Sequence, residues 1–493
     1  MAKGKEDKTV DKGEDQAKKQ VPKEETITTH HRVVIDGQEV AYTATVGTIL
    51  LKEEDGTPKA SIFYVAYTRE GEERLEARPI TFSFNGGPGS SSVWLHLGLL
   101  GPRRVLFDDE GYPLPPPYRL VNNDYSLLDV TDLVFVDPVG TGYSRAVPGE
   151  EPKQFYAFDK DIESVGEFIR LYTTRFGRWS SPKFLIGESY GTTRAAGLSG
   201  FLQEQYGMYL NGIMLISAIL NFQTARFDVG NDLPYILFLP TYTATAWYHG
   251  RLDQALQADL RATLDEVESF VRETYVPALM EGAALPDDER AEVARALARY
   301  TGLSASYLEQ TDLRIEIFRF VKELLRDQRR TVGRLDSRYT GIDRDAAGEH
   351  FDYDPSYAAI QGPYTATLND YIRTTLRYES DLPYEVLTGR VQPWDYSKHQ
   401  NQYVNVAETL RKAMTQNQHL KVFVANGFYD LATPYLATRY TFTHLGIDPS
   451  LQRNISMGYY EAGHMMYIHI PSITQLRADL VAFVRSALPA GVA

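Results

Sequence analysis

From Pro79 onward the chain is punctuated by short runs of strand length, most of them stopping at or near a glycine or an aspartate. They read "ITFSFNGG" from Ile80, "DLVFVDPVGTG" from Asp132, "KFLIGESYG" from Lys183, "GIMLISAI" from Gly212, "KVFVANGFYD" from Lys421 and "NISMGYYEAGH" from Asn454. Apolar or small residues occupy both faces of these runs, and helix-length segments separate most of them. A mostly parallel central sheet with helices on both faces satisfies every run at once. Upstream, from Ile27 to Tyr67, the text alternates instead, with turns at Asp36-Gly37 and Glu54-Asp55-Gly56, which predicts an antiparallel meander.

Between Asn221 and about Asn401 the strand rhythm stops. Helical patterns take its place over Leu252–Met280, Asp288–Tyr300 and Asp312–Arg329, beside the aromatic-rich "LPYILFLPTYTATAWYHG". We expect residues 222–400 to form an inserted helical cap domain over the carboxyl ends of the strands, where open α/β sheets carry their sites. Residues 27–221 and 401–493 then form the two parts of the core. The opening residues 1–26 mix both charge signs with almost no apolar side chain, and they read as a disordered charged tail.

Bulk properties narrow the function. The 51 basic and 65 acidic residues leave a formal charge of −14, so the chain as a whole has no attraction for nucleic acid or anionic lipid. The run Arg326–Arg330 reads as a solvated helix face. The longest apolar candidate, Ile213–Leu220, is far shorter than the roughly 18 to 20 residues a membrane-spanning helix needs. Zero cysteines exclude disulfides, thiolate metal sites and cysteine nucleophiles, and fit a reducing compartment. The opening lacks the pattern of a signal peptide. That leads us to expect a cytoplasmic protein, or a periplasmic or secreted one where a leader has been removed.

Three strand ends carry chemistry in chain order: Ser189 in "GESYG", Asp430 in "NGFYDLATP" and His464 in "EAGHMMY". A serine hydroxyl needs an imidazole to take its proton, and the imidazole needs a buried carboxylate to fix its tautomer and stabilise its charged form. The two glycines around Glu188-Ser189-Tyr190 suit a strand-to-helix corner so tight that the serine takes a strained backbone. The order Ser, Asp, His is that of the α/β-hydrolase fold. Among the 10 histidines, His469 is the rival to His464 but precedes the Pro471 of a final helix, while His30 and His31 read as solvated. No metal-ligand spacing such as HExxH occurs, and the chemistry calls for no cofactor. The loop Asn85–Ser92 follows the strand "ITFSF", and in this architecture such a loop donates one N–H to the oxyanion while the residue after the nucleophile donates the other. Those donors are Gly87 and Tyr190.

With "NGGPGSSS", "VDPVGTGYS", "GESYG", "NGFYDLATP" and "GHMMYIHIP" in order from about residue 79 to the end, the chain resembles the serine carboxypeptidase family of α/β-hydrolases. The resemblance implies hydrolysis of C-terminal residues from peptides through an acyl-enzyme, with Ser189, Asp430 and His464 as triad. It further implies that Asn85, Gly86 and Glu188 bind the substrate's terminal carboxylate and that Met465 lines the leaving-residue pocket. Two positions depart from the family. Ser90 stands where the family has a cysteine, and Leu99 where it has a second glutamate, so Glu188 lacks its carboxyl partner. His96, Arg103 and Arg104 are the candidates to replace that partner. Two rivals to a carboxypeptidase stay open: other acyl chemistry (an esterase, an acyltransferase or an aminopeptidase), and a catalytically silent homologue acting as a binding protein. The oligomeric state is not legible.

Overall fold

The alternating stretch at the start of the chain pairs as three antiparallel strands, β1 (Thr26–Ile35), β2 (Gln38–Lys52) and β3 (Pro58–Arg69). They are seen in a computed structural model that describes residues 22–72 and 74–489. Most of the expected tail, residues 1–21, lies outside the described residues. Its last part is tied down by one charge: Glu24 accepts the Leu50 N–H at 2.8 Å and pairs with Arg175 at 2.9 Å. Glu24 is therefore held against the fold although it falls within the expected tail.

Each apolar run becomes a strand: β4 (Ile80–Phe84), β5 (Asp132–Val136), β6 (Lys183–Ser189), β7 (Gly212–Ala218), β8 (Lys421–Gly427) and β9 (Ile455–Tyr460). Across the sheet the order is β1-β2-β3-β5-β4-β6-β7-β8-β9, and a tenth short strand, Arg145–Ala146, pairs with β3. From β5 to β9 all neighbours are parallel, and β3 meets β5 antiparallel. The fold is thus α/β, of the hydrolase type expected.

Period-two alternation sorts the side chains onto two faces. Phe184, Ile186, Met214, Ile216 and Phe423 point to a core shared with the C-terminal helix Ile470–Ser486. Their neighbours Leu185, Ile213, Leu215, Val422 and Val424 point the other way, onto the helices Phe158–Arg175, Tyr190–Tyr206 and Ala407–Gln416. Burying both faces explains why these strands lack alternating polar residues.

The chain between β7 and β8 divides in its packing. Helices Leu233–Tyr248, Leu260–Phe270 and Asp287–Thr301 close on a cluster of their own that reaches the main body at Phe428, Tyr429, Leu431 and Tyr435. The helix Pro355–Asp370 instead sends Ile360, Tyr364 and Leu368 into the main core with Trp94 and Leu97. Trp394 and Val391 pack on Tyr190, directly beside the end of β6. No helix among the described residues is long and apolar enough to cross a membrane.

Candidate active site

Ser189 ends β6 and is followed at once by the helix Tyr190–Tyr206, so the chain must reverse within one residue. It does so with Ser189 at φ +59° and ψ −129°, a conformation that costs a non-glycine residue about 1–3 kcal/mol. The loop after β4 is pressed against this corner. A Cβ on Gly86 would lie 2.5 Å from the Tyr190 nitrogen, so only glycine admits the contact. Tyr190 opens its helix, where the first N–H groups have no carbonyl partner within the helix. Gly87 (φ +103°) faces the same space, and its N–H has no acceptor among the described residues.

Asp430 lies in the loop after β8 and His464 in the loop after β9. The two loops touch backbone to backbone, since a Cβ on Gly427 would fall 2.3 Å from the Gly463 carbonyl oxygen. His464 Nδ1 is 2.7 Å from Asp430 Oδ2. A carboxylate only accepts, so Nδ1 carries the proton and Nε2 is left as a base. Asp430 is fully buried and also accepts from the Ala432 and Thr433 amides at 2.8 and 3.0 Å and from the Thr433 hydroxyl at 2.6 Å. Two contacts hold the imidazole's backbone: the His464 N–H donates to Leu335 at 2.7 Å, and its carbonyl accepts from Ser217 at 2.7 Å. Burial alone pulls the His464 pKa down, but the charge and hydrogen bond of Asp430, with Glu188 behind them, outweigh it and the net shift is upward.

Ser189 and His464 line one cavity of about 590 Å³, together with Glu188, Met465, Trp94 and Tyr357. A second cavity of about 730 Å³ also borders Ser189, walled by Phe222, Phe227, Phe238 and Trp394. Gly87, Pro88, Ser189, Arg334, Asp354 and Gln392 border both. The Ser189 hydroxyl makes no hydrogen bond among the described residues, a common state in a free site whose contacts tighten on substrate binding.

Of the residues expected to bind a carboxylate, Gly86, Glu188 and Met465 line the smaller cavity. Asn85 sits behind them. It is fully buried, donates to Glu188 Oε1 at 3.1 Å and accepts the Leu95 N–H at 3.1 Å. Leu99 is buried in a short helical turn, and none of the three candidate replacements reaches the cavity. His96 is stacked on Phe135 and bonded to Tyr67, with burial holding its pKa down to about 3. Arg103 donates to Asn122, and Arg104 lies over Tyr125. The partner of Glu188 is Tyr467 instead, whose hydroxyl donates to Oε2 at 2.5 Å. Burial pushes the Glu188 carboxyl up to about 7.

The rival His469 bonds Ser472 and stands apart from Asp430. His30 is exposed and pairs with Glu70, whereas His31 is part-buried against Tyr42 and bonded to Thr29. Sequence reasoning missed Tyr467, Arg334 and Arg194. Only the last had a signal, an arginine inside the otherwise small and apolar "TTRAAG" of a helix. Arg194 is 1% exposed, pairs with Asp161 at 2.8 Å and donates to the Asn85 carbonyl at 2.6 Å, bracing the loop before Gly86. Among the described residues no group of three or more His, Asp or Glu side chains is placed to hold a metal ion.

The chain is similar to several known proteins. Serine-type carboxypeptidase F of Aspergillus niger is 33% identical over 142 residues, 29% of this chain and 24% of that protein. The pheromone-processing carboxypeptidase of Saccharomyces cerevisiae is 32% identical over 155 residues, so these relatives are matched over a quarter or less of their own length. Serine carboxypeptidase-like 34 of Arabidopsis thaliana is 25% identical across 83% of this chain and 75% of its own. The crystal structure of the prohormone-processing carboxypeptidase of S. cerevisiae superposes with a TM-score of 0.55 at 16% identity, covering 90% of this chain and 91% of that one, a likeness of fold. The profile of the serine carboxypeptidase family matches residues 46–466, far more than half of the sequence, and the chain therefore belongs to the serine carboxypeptidase family.

Proposed function

We propose that the protein is a serine carboxypeptidase that releases C-terminal residues from peptides through an acyl-enzyme. One observation carries the reading: Ser189, on a strained corner, shares a cavity with an imidazole whose Nδ1 is held by a buried, fully hydrogen-bonded Asp430. In this mechanism Ser189 attacks the last peptide carbonyl as His464 Nε2 takes its proton. The imidazolium is stabilised by Asp430 and then protonates the leaving amine. The Gly87 and Tyr190 N–H groups hold the tetrahedral oxyanion, and water repeats the sequence on the acyl-enzyme. Glu188, supported by Asn85 and next to Gly86, faces the terminal carboxylate, and Met465 with Trp94 and Tyr357 gives the leaving residue an apolar wall. We assign residues 27–221 and 401–493 to the hydrolase core and 222–400 to the inserted cap, of which the helix Pro355–Asp370 packs into the main core while Arg334 and Trp394 border the larger cavity beside Ser189. The cytoplasmic placement expected from the missing signal-peptide pattern is not supported by the relatives.

A fluorophosphonate probe and three substrates test the proposal: an N-blocked dipeptide with a free C-terminus, its C-terminal amide and an aryl ester. The native protein is expected to be labelled at Ser189 and to cleave the acid, with Ser189→Ala and His464→Ala each losing at least about three orders of magnitude while staying folded. Turnover of the ester alone favours other acyl chemistry. Absence of labelling favours a silent binding protein.

A further inference from the structure

The leaving-residue cavity must accept an anion if the substrate ends in a free carboxylate, and its own carboxyls work against that. Glu188 is fully buried there with both oxygens already accepting, one from Asn85 and one from Tyr467. Asp354 also borders the cavity, its Oδ1 capping the helix Pro355–Asp370. Near neutral pH, where Glu188 begins to ionise, an incoming carboxylate meets like charge.

Among the described residues, one arginine borders this cavity. Arg334 is half-buried and borders both cavities beside Ser189, and its guanidinium has no hydrogen bond or ion pair among the described residues. Its backbone is fixed: the N–H donates to Asp354 Oδ1 at 3.1 Å and the carbonyl accepts from Leu431 at 3.1 Å. The next residue, Leu335, accepts the His464 N–H, so Arg334 is tied to the loop that carries the imidazole. The other arginine near Ser189, Arg226, borders only the larger cavity. A held backbone with an uncommitted planar fork, facing the space next to the nucleophile, is the arrangement that recognises a carboxylate bidentately.

We propose that Arg334 receives the free terminal carboxylate of the substrate on the leaving-residue side of Ser189. The inference rests on the peptidase reading. It makes the insertion, and no second carboxyl at position 99, the source of selectivity for a free C-terminus, and it removes the need for acid in that step.

The test compares Arg334→Gln and Arg334→Lys with the native protein at pH 7.5 on the matched dipeptide acid and amide. Arg334→Gln is expected to lose about 10- to 100-fold in kcat/KM on the acid, chiefly through KM, with less than about threefold change on the amide. Arg334→Lys is expected to recover part of the loss. Equal losses on acid and amide, no loss on the acid, or a loss confined to peptides with an acidic residue on the acyl side would each overturn the proposal. Should the native protein cleave the aryl ester but neither peptide, the peptidase reading fails, and inhibition of ester turnover then decides about Arg334. An N-blocked amino acid must inhibit the native protein at least about tenfold better than Arg334→Gln, with its amide indifferent to the change; equal inhibition refutes the site.

Discussion

The Tyr467 hydroxyl donates to Glu188 Oε2 at 2.5 Å, joining two residues that lie 279 positions apart in the chain. A phenol cannot ionise in the range where a carboxyl does, and burial keeps the Tyr467 hydroxyl protonated still further up. Glu188 therefore has a neutral donor as its partner. It titrates without a second carboxyl beside it, coupled only to the more distant charges of His464 and Asp430.

Removing the phenol hydroxyl should be visible in pH. Its hydrogen bond favours the ionised carboxylate, so Tyr467→Phe is expected to raise the Glu188 pKa beyond about 7, by about one pH unit. The repulsion that ionised Glu188 adds against a free-acid substrate, on top of the attraction of Arg334, should then set in at higher pH, so the acid-to-amide ratio should begin to fall later. The measurement is the ratio of kcat/KM for acid and amide across pH 5–9. A ratio profile that stays in place or moves toward acid rules out Tyr467 as the group that sets Glu188.

Glu188 also makes a prediction about stability. Its carboxyl titrates near 4.5 when unperturbed and near 7 in the fold, so between those values the native state holds a proton the unfolded chain has released. Stability must fall as pH rises through that window and level off above it, a loss on the order of 3 kcal/mol. Glu188→Gln carries no charge to bury. Denaturant unfolding should find it more stable than the native protein at pH 8 and nearly equal at pH 4.5. A variant less stable at pH 8 would show that the ionised group is better solvated than its burial implies.

Ester turnover isolates the imidazole, because no terminal carboxylate takes part. Its rate should fall as pH drops through the His464 pKa, which lies above the ordinary 6.5 because of Asp430 and Glu188. Taking away the Glu188 charge lets that pKa fall. The acidic limb of kcat/KM for the aryl ester is therefore expected to move to lower pH in Glu188→Gln, and a limb that moves upward contradicts the electrostatic link.

How far the sequence could be read follows from what each residue's position depends on. The strands were legible because a strand covered on both faces has to be apolar or small at nearly every position, as β7 is throughout and β6 is from Phe184 to Gly187. Ser189, Asp430 and His464 were legible because each follows directly from such a run, and parallel strands bring their carboxyl ends to one edge. Tyr467 was not, because its reach to Glu188 depends on Gly98, where any Cβ would lie 2.3 Å from the tyrosine ring. That is a packing relation between three distant segments. Arg334 sits between two two-residue strands, Thr331–Val332 and Thr340–Gly341, with no periodicity to place it. Periodicity likewise does not separate the helix Pro355–Asp370, which joins the main core, from the helices that close on each other.

The buried pair Asp161–Arg194 supplies the last prediction, because it lies under the site without touching the cavities. Arg194 is 1% exposed, held by Asp161 at 2.8 Å and by the Asn85 carbonyl at 2.6 Å, and its guanidinium also faces the Tyr190 ring. Taking away the carboxylate leaves a full positive charge in the core, which costs about 3–5 kcal/mol. Asp161→Asn is therefore expected to lower unfolding free energy by that amount in denaturant titrations. The double variant Asp161→Leu with Arg194→Met, which removes both charges and keeps the volume close, should recover most of the stability. It should not recover the catalytic rate. Without the Arg194 donor the Asn85 carbonyl is released, and the Gly86–Gly87 loop that it precedes loses the brace fixing its N–H against the Ser189 corner. Ester kcat in the folded double variant is expected to fall about tenfold or more with KM little changed. Full native kcat in a stable double variant would show that the pair holds the fold alone and that the Gly86–Gly87 loop is positioned by Gly86 packing on Tyr190.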